Sequence, residues 1–466
     1  MDFLERLGEI TGDILTGDDA ARYGRDWVGT YVTTPLAVVR PSNTPELSAI
    51  MALAHEMRVP VVPLAGNTGL TGGGSAEGAL VVSVERMNRV RDINPSARVV
   101  TVEAGVILSD LHDAVGDVGM IYPMTFGAKG SARIGGTLAT NAGGSNVLRY
   151  GNTRDLCLGI EAVLTDGRVV DLMGELHKDN SGYDLRDLLI GSEGTLAIIT
   201  AAVLKLYPAP RARATAMVSV PDLDAALALL NQLQEDTSGA VEAFEYMPRD
   251  YMVQLRQHRP DLTPPLGYDV DHTVFLEIAT TRAGDAQMNS DGVVPLSARL
   301  EETLGAMFEA GHVIDAAMAT SEGQRLQMWE MREAAAEITT ATKPLIICDL
   351  SLPRDRAADF LREAKERLSK RDENIRSCTV AHLGDGNIHF TLYPSSGAPD
   401  HCDALVEIVE DIVREMGGSF SAEHGIGVAK LSSMRRRKDP VALDMMRAIK
   451  AALDPRGILN PGKTVP

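Results

Sequence analysis

Apolar residues along this chain follow two rhythms, and the first organised stretch uses both. Residues 36–40 are strand-like, and Thr44-Pro45-Glu46 supplies the N-cap and first turn of a helix. Leu47, Ile50, Met51 and Ala54 fall on one face of that helix, and residues 59–64 form a second strand. The pattern predicts a βαβ start. A loop rich in glycine follows at residues 65–74, then another strand at 79–84. The apolar run 197–206 predicts a buried strand, while 223–233 and 300–307 have the spacing of amphipathic helices alternating with strands such as 274–279. Between them, residues 284–297 have the polarity of a surface loop. Near the end, strands at 377–381 and 388–393 flank Asp385-Gly386, the dipeptide preferred by tight hairpin turns. This mixture gives an α+β fold class, and 466 residues suggest two or three domains.

The hairpin carries candidate chemistry. Centred on Asp385-Gly386, with a loop of two residues or four, it would set His382 directly opposite His389, with Cβ atoms roughly 4.5 to 5.5 Å apart. Two imidazoles so placed can share one ion, and a carboxylate such as Glu423 would complete a His, His, Glu set with an open position, the form of a catalytic metal site. A plain hydrogen-bonded histidine pair is the alternative. Glycines surround both segments, at Gly384, Gly386, Gly425 and Gly427, and allow sharp turns or close approach to a ligand.

Glycine also marks the first two hundred residues. The loop 65–74 joins two strands instead of opening a helix, which excludes a Rossmann dinucleotide site but leaves an anion-binding nest of backbone N–H groups. Small residues return at 126–144 and 190–196, so the three tracts suggest one large cofactor site. Gly457-Ile-Leu-Asn-Pro-Gly-Lys-Thr464 satisfies the letter of the nucleotide P-loop, yet no helix follows to present its N-terminus, and an ATPase is rejected.

Charge and cysteine content narrow the class. A formal net charge of −19 argues against nucleic acid and anionic membranes as partners. Four scattered cysteines without a Cys-x-x-Cys pair disfavour zinc ribbons, iron–sulfur clusters and a disulfide framework. The start lacks the basic and apolar regions of a signal peptide, and no stretch reaches the ~18 apolar residues of a membrane span, so a soluble cytoplasmic protein is expected.

In order and spacing, several of these motifs together resemble one family. They are Gly66-Asn-Thr-Gly-Leu70, Ile134 to Gly144, Arg149-Tyr-Gly151, Lys178 to Leu185, Gly191-Ser-Glu-Gly-Thr195, His382 to His389, Ser421 to Gly425 and Leu453 to Lys463. The chain resembles flavoproteins of the vanillyl-alcohol oxidase type that oxidise D-2-hydroxy acids, especially D-2-hydroxyglutarate and D-lactate dehydrogenases. That resemblance implies a PCMH-type FAD-binding domain of two α+β subdomains over residues 1–208, an α+β cap or substrate domain over 209–415, and a helical C-terminal segment, 416–466, packing back on the FAD domain. It implies FAD contacts from Gly66, Asn67, Thr68, Gly69, Leu70, Gly72 and Gly73 in the first tract. Pro123, Gly127, Gly135, Gly136, Thr140, Asn141, Gly143, Gly144, Tyr150, Gly194, Ile198 and Asn460 would supply the rest. It makes His382, His389 and Glu423 ligands of a divalent metal, usually zinc, and His424 the base. Without a histidine or cysteine in the glycine loops that suggests a covalent bond, the FAD is expected to be non-covalent.

By the same resemblance Arg332 clamps the substrate carboxylate, a task suited to its planar fork of donors. Asn387 would also contact substrate. Three lining positions depart from the hydroxyglutarate enzymes: Ala336 replaces a hydroxyl residue, Ile347 a lysine and Thr391 an asparagine. A substrate with one carboxylate and a less polar tail gains weight, against D-2-hydroxyglutarate, D-lactate or a bulkier monocarboxylate. A zinc hydrolase built on the His, His, Glu set is a different-class alternative, and a flavin-binding protein without turnover is a third. The expected partners are a small 2-hydroxy acid and an electron acceptor, whether electron-transferring flavoprotein, quinone, another carrier or oxygen. A homodimer is left open.

Overall fold

The computed structural model describes residues 2–27, 29–290 and 292–466. They divide into two compact units, the first formed by 1–143, 151–208 and 423–466, the second by 144–150 and 209–422. The architecture is α+β in both.

In the first unit, strands β1 (Ile14–Leu15), β2 (Ala37–Val39), β3 (Val61–Leu64) and β4 (Leu80–Ser83) form a sheet in the order β1-β2-β4-β3. The helix Thr44–Met57 links β2 to β3. It is capped by Asn43, whose side chain accepts from the Glu46 N–H, one residue earlier than the pattern suggests. Leu47, Ile50, Met51 and Ala54 are buried as the periodicity requires, and each of the larger three contributes about 1.5–3 kcal/mol by leaving water. Strand β4 inserts between β2 and β3, parallel to both. The glycine-rich loop therefore leaves the carboxyl end of β3, where open parallel sheets receive ligands.

Seven further strands follow: β5 (Val90–Asn94), β6 (Val99–Glu103), β7 (Met120–Ile121), β8 (Cys157–Val163), β9 (Val169–Leu172), β10 (Ile198–Lys205) and β11 (Tyr207–Pro208). Five of them make an antiparallel sheet, β5-β6-β10-β8-β9, and β7 pairs with β11. The predicted apolar run 197–206 is the central strand β10, buried on both faces. The C-terminal tail adds to this unit: Val61 donates to Ile458 O and accepts from Asn460 N–H, extending the edge of β3. The tail begins at 423, not at 416, because Ser419 pairs with Ser351 of the second unit and Ala422 donates to Asp349 there. Residues 144–150 also belong to the second unit, since Arg149 and Tyr150 both donate to Glu242.

That unit is built on an antiparallel sheet of β12 (Ala212–Ser219), β13 (Val241–Pro248), β14 (His272–Thr280), β15 (Asp315–Met318), β16 (Ile346–Ser351), β17 (Arg376–His382) and β18 (Asn387–Tyr393). The order is β15-β12-β14-β13-β17-β18-β16. One apolar cluster joins it to the helices Leu223–Asp236, Pro295–Glu309, Ala357–Arg371 and Pro399–Glu415. A second joins it to Arg249–His258 and Glu322–Glu333. The expected surface loop 284–297 is shorter than its polarity suggests. It begins within the short helix Ala283–Ala286 and ends in the helix from Pro295, which Leu296 anchors in the core; Asp291 lies outside the described residues.

Candidate active site

The histidine hairpin forms, but in another register. His382 pairs with Asn387, and His389 stands opposite Val380, so the histidines are diagonal neighbours instead of direct partners. The four-residue turn 383–386 is held from outside the hairpin. Gly386 accepts from Leu352 N–H, and at φ +86° a Cβ there would lie 2.1 Å from Leu352 O. Gly384 donates to Phe244 O across on the other side. These contacts, invisible to local turn chemistry, shift the pairing by two residues, which keeps both side chains on one face. Their rings are 5.2 Å apart at 79°, and one ring nitrogen of each lies within 4.8 Å of the other's.

Each imidazole has a buried carboxylate beside it. Glu245 on β13 stands opposite His382, and its Oε1 is 2.8 Å from His382 Nδ1. A carboxylate only accepts, so Nδ1 carries the proton and Nε2 is the ring's acceptor. Its other oxygen accepts from Arg332 Nε at 2.6 Å. Burial disfavours the charge on Glu245, but His382 and Arg332 beside it outweigh this and hold its carboxyl below the ordinary value. Asp349 on β16 pairs in register with His389, with Oδ1 3.6 Å from Nδ1. It also accepts from Asn387 Nδ2 at 2.9 Å and from the Ala422 N–H at 3.1 Å. Glu423 and His424 are the next two residues of the chain.

The expected substrate residues spread around this face. Arg332 is buried at the end of the helix Glu322–Glu333, whose start Ser321 caps. Thr391 is buried between Cys378 and Ile347 in the row next to His389. Ala336 is exposed in the helix Ala335–Thr340. Asn387 Nδ2 donates to Asp349 and to Leu350 O, while its buried Oδ1 has no hydrogen-bond partner among the described residues. Sequence reasoning missed Glu245 and Asp349. The readable signal was acidic residues set among apolar ones, Glu242 and Glu245 in β13 and Asp349 in β16, where a buried charge persists only if paired.

In the first unit the three glycine tracts pack on one another. A Cβ on Gly66 would lie 2.3 Å from Ser131 O and one on Gly136 3.2 Å from Ala65 Cβ, while Gly191 and Glu193 donate to Leu138 O and Ala139 O. Asn67 and Asn141 adopt left-handed backbone, and their side chains bind Arg25 O and Arg154 N–H. Thr140 donates to Gly136 O, and Asn460 donates to Gly73 O and Glu193 O. Pro123 and Ile198 are buried, and Thr68, Leu70 and Gly136 are partly buried. Gly72, at φ +72°, packs against the Tyr31 ring. The P-loop lookalike turns its Lys463 inward onto Asn460 Oδ1, and burial pushes that amine down to about 8.

The segment after Ala422 is tied to these tracts. Glu193 accepts from Ile426 N–H and Gly427 N–H, Thr71 Oγ1 donates to His424 O, and Thr71 O accepts from Val428 and Ala429. A Cβ on Gly143 would lie 2.3 Å from Glu423 Oε1, so that carboxylate rests on the second glycine tract. Gly69, Gly73, Gly127 and Gly130 have nothing within 4 Å of the place where a side chain would start. Closely packed glycines with open ones at the rim fit a long, phosphate-bearing cofactor such as FAD. The two imidazoles of the second unit, each backed by a buried carboxylate, are donors of the kind that hold a divalent cation.

Residues 209–464 match the family of FAD linked oxidases, C-terminal domain, and residues 35–173 match an FAD binding domain. A D-2-hydroxyglutarate dehydrogenase of Xanthomonas citri pv. viticola is 34% identical over 96% of this chain and 92% of its own length. The mitochondrial D-2-hydroxyglutarate dehydrogenase of Rattus norvegicus is 34% identical over 98% of the chain and 83% of its own. The glycolate oxidase subunit GlcD of Bacillus subtilis is 32% identical over 99% and 96%. Among solved structures, p-cresol methylhydroxylase with substrate bound superposes with a TM-score of 0.76 at 15% identity, covering 99% of this chain and 96% of that one. Alkyldihydroxyacetonephosphate synthase gives 0.72 at 16% identity, over 98% and 85%. These two show the fold alone. The chain therefore belongs to the FAD-linked oxidases of the vanillyl-alcohol oxidase type, and over nearly its full length it is homologous to the D-2-hydroxyglutarate dehydrogenases.

Proposed function

We propose that this protein oxidises a D-2-hydroxy acid to the 2-oxo acid, with His382, His389 and Glu423 holding a divalent cation, zinc by preference, and His424 acting as base. The observation that carries the reading is the pair of imidazoles within 4.8 Å, each beside a buried carboxylate. Glu423 and His424 follow directly on Ala422, which is itself held by Asp349. Bound FAD supplies the hydride acceptor, and the cation supplies a Lewis acid for the substrate hydroxyl and carboxylate. The chain's own groups do the rest. Arg332 binds carboxylate, and His424 takes the hydroxyl proton as the C2–H bond breaks and the C2–O bond becomes a carbonyl.

A zinc hydrolase is disfavoured because two of the three glycine tracts, 65–74 and 126–144, lie in the segment that matches an FAD binding domain. A flavoprotein without turnover is disfavoured by the complete ligand set and base. The purified protein is expected to be yellow and to bleach under anaerobic conditions with D- but not L-2-hydroxy acids. A colourless hydrolase, or yellow protein that no hydroxy acid bleaches, overturns the proposal. Electrons then pass to electron-transferring flavoprotein, a quinone or another carrier, which reoxidation assays separate. Among the described residues no helix is long and apolar enough to cross a membrane. A cytoplasmic location is proposed on cysteine spacing alone.

The substrate tail is proposed to be apolar. Ile347 and Thr391 are direct neighbours on the histidine face, and neither carries a charge for a second carboxylate. In a panel of acids, monocarboxylates with apolar tails are expected to exceed D-2-hydroxyglutarate in kcat/KM. Ile347→Lys is expected to raise kcat/KM for D-2-hydroxyglutarate by roughly tenfold or more, the size of one hydrogen bond to a charged group. No gain would show that the distal end of the substrate does not reach this row.

Gly143→Ala tests the seat of Glu423. The added methyl meets the far end of a flexible side chain, so the fold should be spared, but the carboxylate must move. Metal content is expected to fall while the thermal midpoint changes by only a few degrees, about what 1 kcal/mol produces. Full metal retention would mean that Glu423 needs no fixed seat.

A further inference from the structure

Arg332 and His382, one proposed for substrate and one for metal, both end on the same carboxylate. Glu245 lies on the central strand β13, fully buried, with one oxygen 2.8 Å from His382 Nδ1 and the other 2.6 Å from Arg332 Nε. Arg332 Nη2 lies 3.3 Å from His382 Nε2 and 3.5 Å from Nδ1. Near-equal distances to both ring nitrogens cannot be met in the ring plane without collision with the ring carbons, so the guanidinium lies over the ring face.

We propose that Glu245 is a positioning residue that couples the metal to the substrate clamp. Its two oxygens fix His382 as the Nδ1–H tautomer and fix the guanidinium plane of Arg332 against the same ring. The inference rests on the metal reading given under Proposed function and adds a link within it. A carboxylate behind a ligating histidine orients the ring and raises its basicity. Here the same carboxylate also neutralises the arginine, which keeps two buried cationic centres compatible at close range. Aspartate is too short to span both partners from β13, and glutamine cannot accept from both, since one end of its amide only donates.

The test is Glu245→Gln in the flavin-loaded enzyme, with zinc affinity measured by chelator competition and steady-state constants measured alongside. Thermal midpoint and flavin content report on the fold. The expected result is zinc bound about 10- to 100-fold more weakly, the usual cost of losing such a partner, with KM for the hydroxy acid raised and flavin content unchanged. In a His382→Ala background, Glu245→Gln should leave zinc affinity within about twofold while still raising KM through Arg332, because partners in one network are not additive. Zinc affinity and KM both unaltered in the single variant would overturn the coupling, as would two effects on zinc that simply multiply. A parent enzyme that binds no zinc would overturn the metal reading itself and this link with it.

Discussion

Replacement of His424 by alanine is expected to slow anaerobic flavin reduction by a D-2-hydroxy acid about 10²- to 10⁴-fold, the range for removal of a general base, while the protein stays yellow and keeps its metal. The argument starts from the backbone. His424 sits in a segment whose position is set by main-chain groups: its carbonyl accepts from Thr71 Oγ1, and the next residues are held by the Glu193 carboxylate and by Thr71 O. These contacts run through main-chain groups, and the thermal midpoint and flavin content of the variant check that the loop stays in place. Gly425 and Gly427, at φ +74° and +50°, lie where a Cβ would strike Glu193 and Thr71, which explains why glycine follows the histidine in both places. Stopped-flow reduction is the measurement, and added imidazole should recover part of the rate. An alanine variant as fast as the parent would remove His424 from the chemistry.

Loss of a ligand should cost as much by another route. His389→Ala is expected to empty the metal site and to lower the reduction rate by at least about a hundredfold, since Lewis-acid stabilisation is worth several kcal/mol. Its effect on metal affinity should exceed the about 10- to 100-fold expected of an outer partner. His389 is the cleaner of the two histidines for this test. It is partly exposed, whereas His382 is buried against Glu245, and its removal would leave a buried acceptor short of a partner at about 1–3 kcal/mol. Metal analysis by mass spectrometry and the reduction rate should fall together. Full activity without metal would favour a site in which Arg332 alone holds the substrate.

Much of this was legible in the sequence because local signals and tertiary structure agree. Leu47, Ile50, Met51 and Ala54 follow helical spacing and are buried, and the unbroken apolar run of β10 is the centre of its sheet. The glycine tracts are close-packed on the protein itself, and several of their glycines admit no side chain. Failures occurred where a distant segment decides. The hairpin register depends on Leu352 and Phe244, which the turn dipeptide does not know, and the exit at Ala422 depends on Asp349, far away in the chain. Residues 144–150 change units because Glu242 on β13 draws in Arg149 and Tyr150. Glu245 escaped notice because its strand carries two acidic residues, Glu242 and Glu245, and only the fold shows which partners each meets.

The central claim is that one bound cation and one bound flavin act on the same D-2-hydroxy acid. It is tested most directly by anaerobic titration of the yellow protein with a D-2-hydroxy acid, before chelation, after chelation and after zinc is restored. Rapid bleaching before chelation, its loss after chelation and its recovery with zinc are the predicted results. Bleaching that proceeds equally well in the chelated protein would contradict the account.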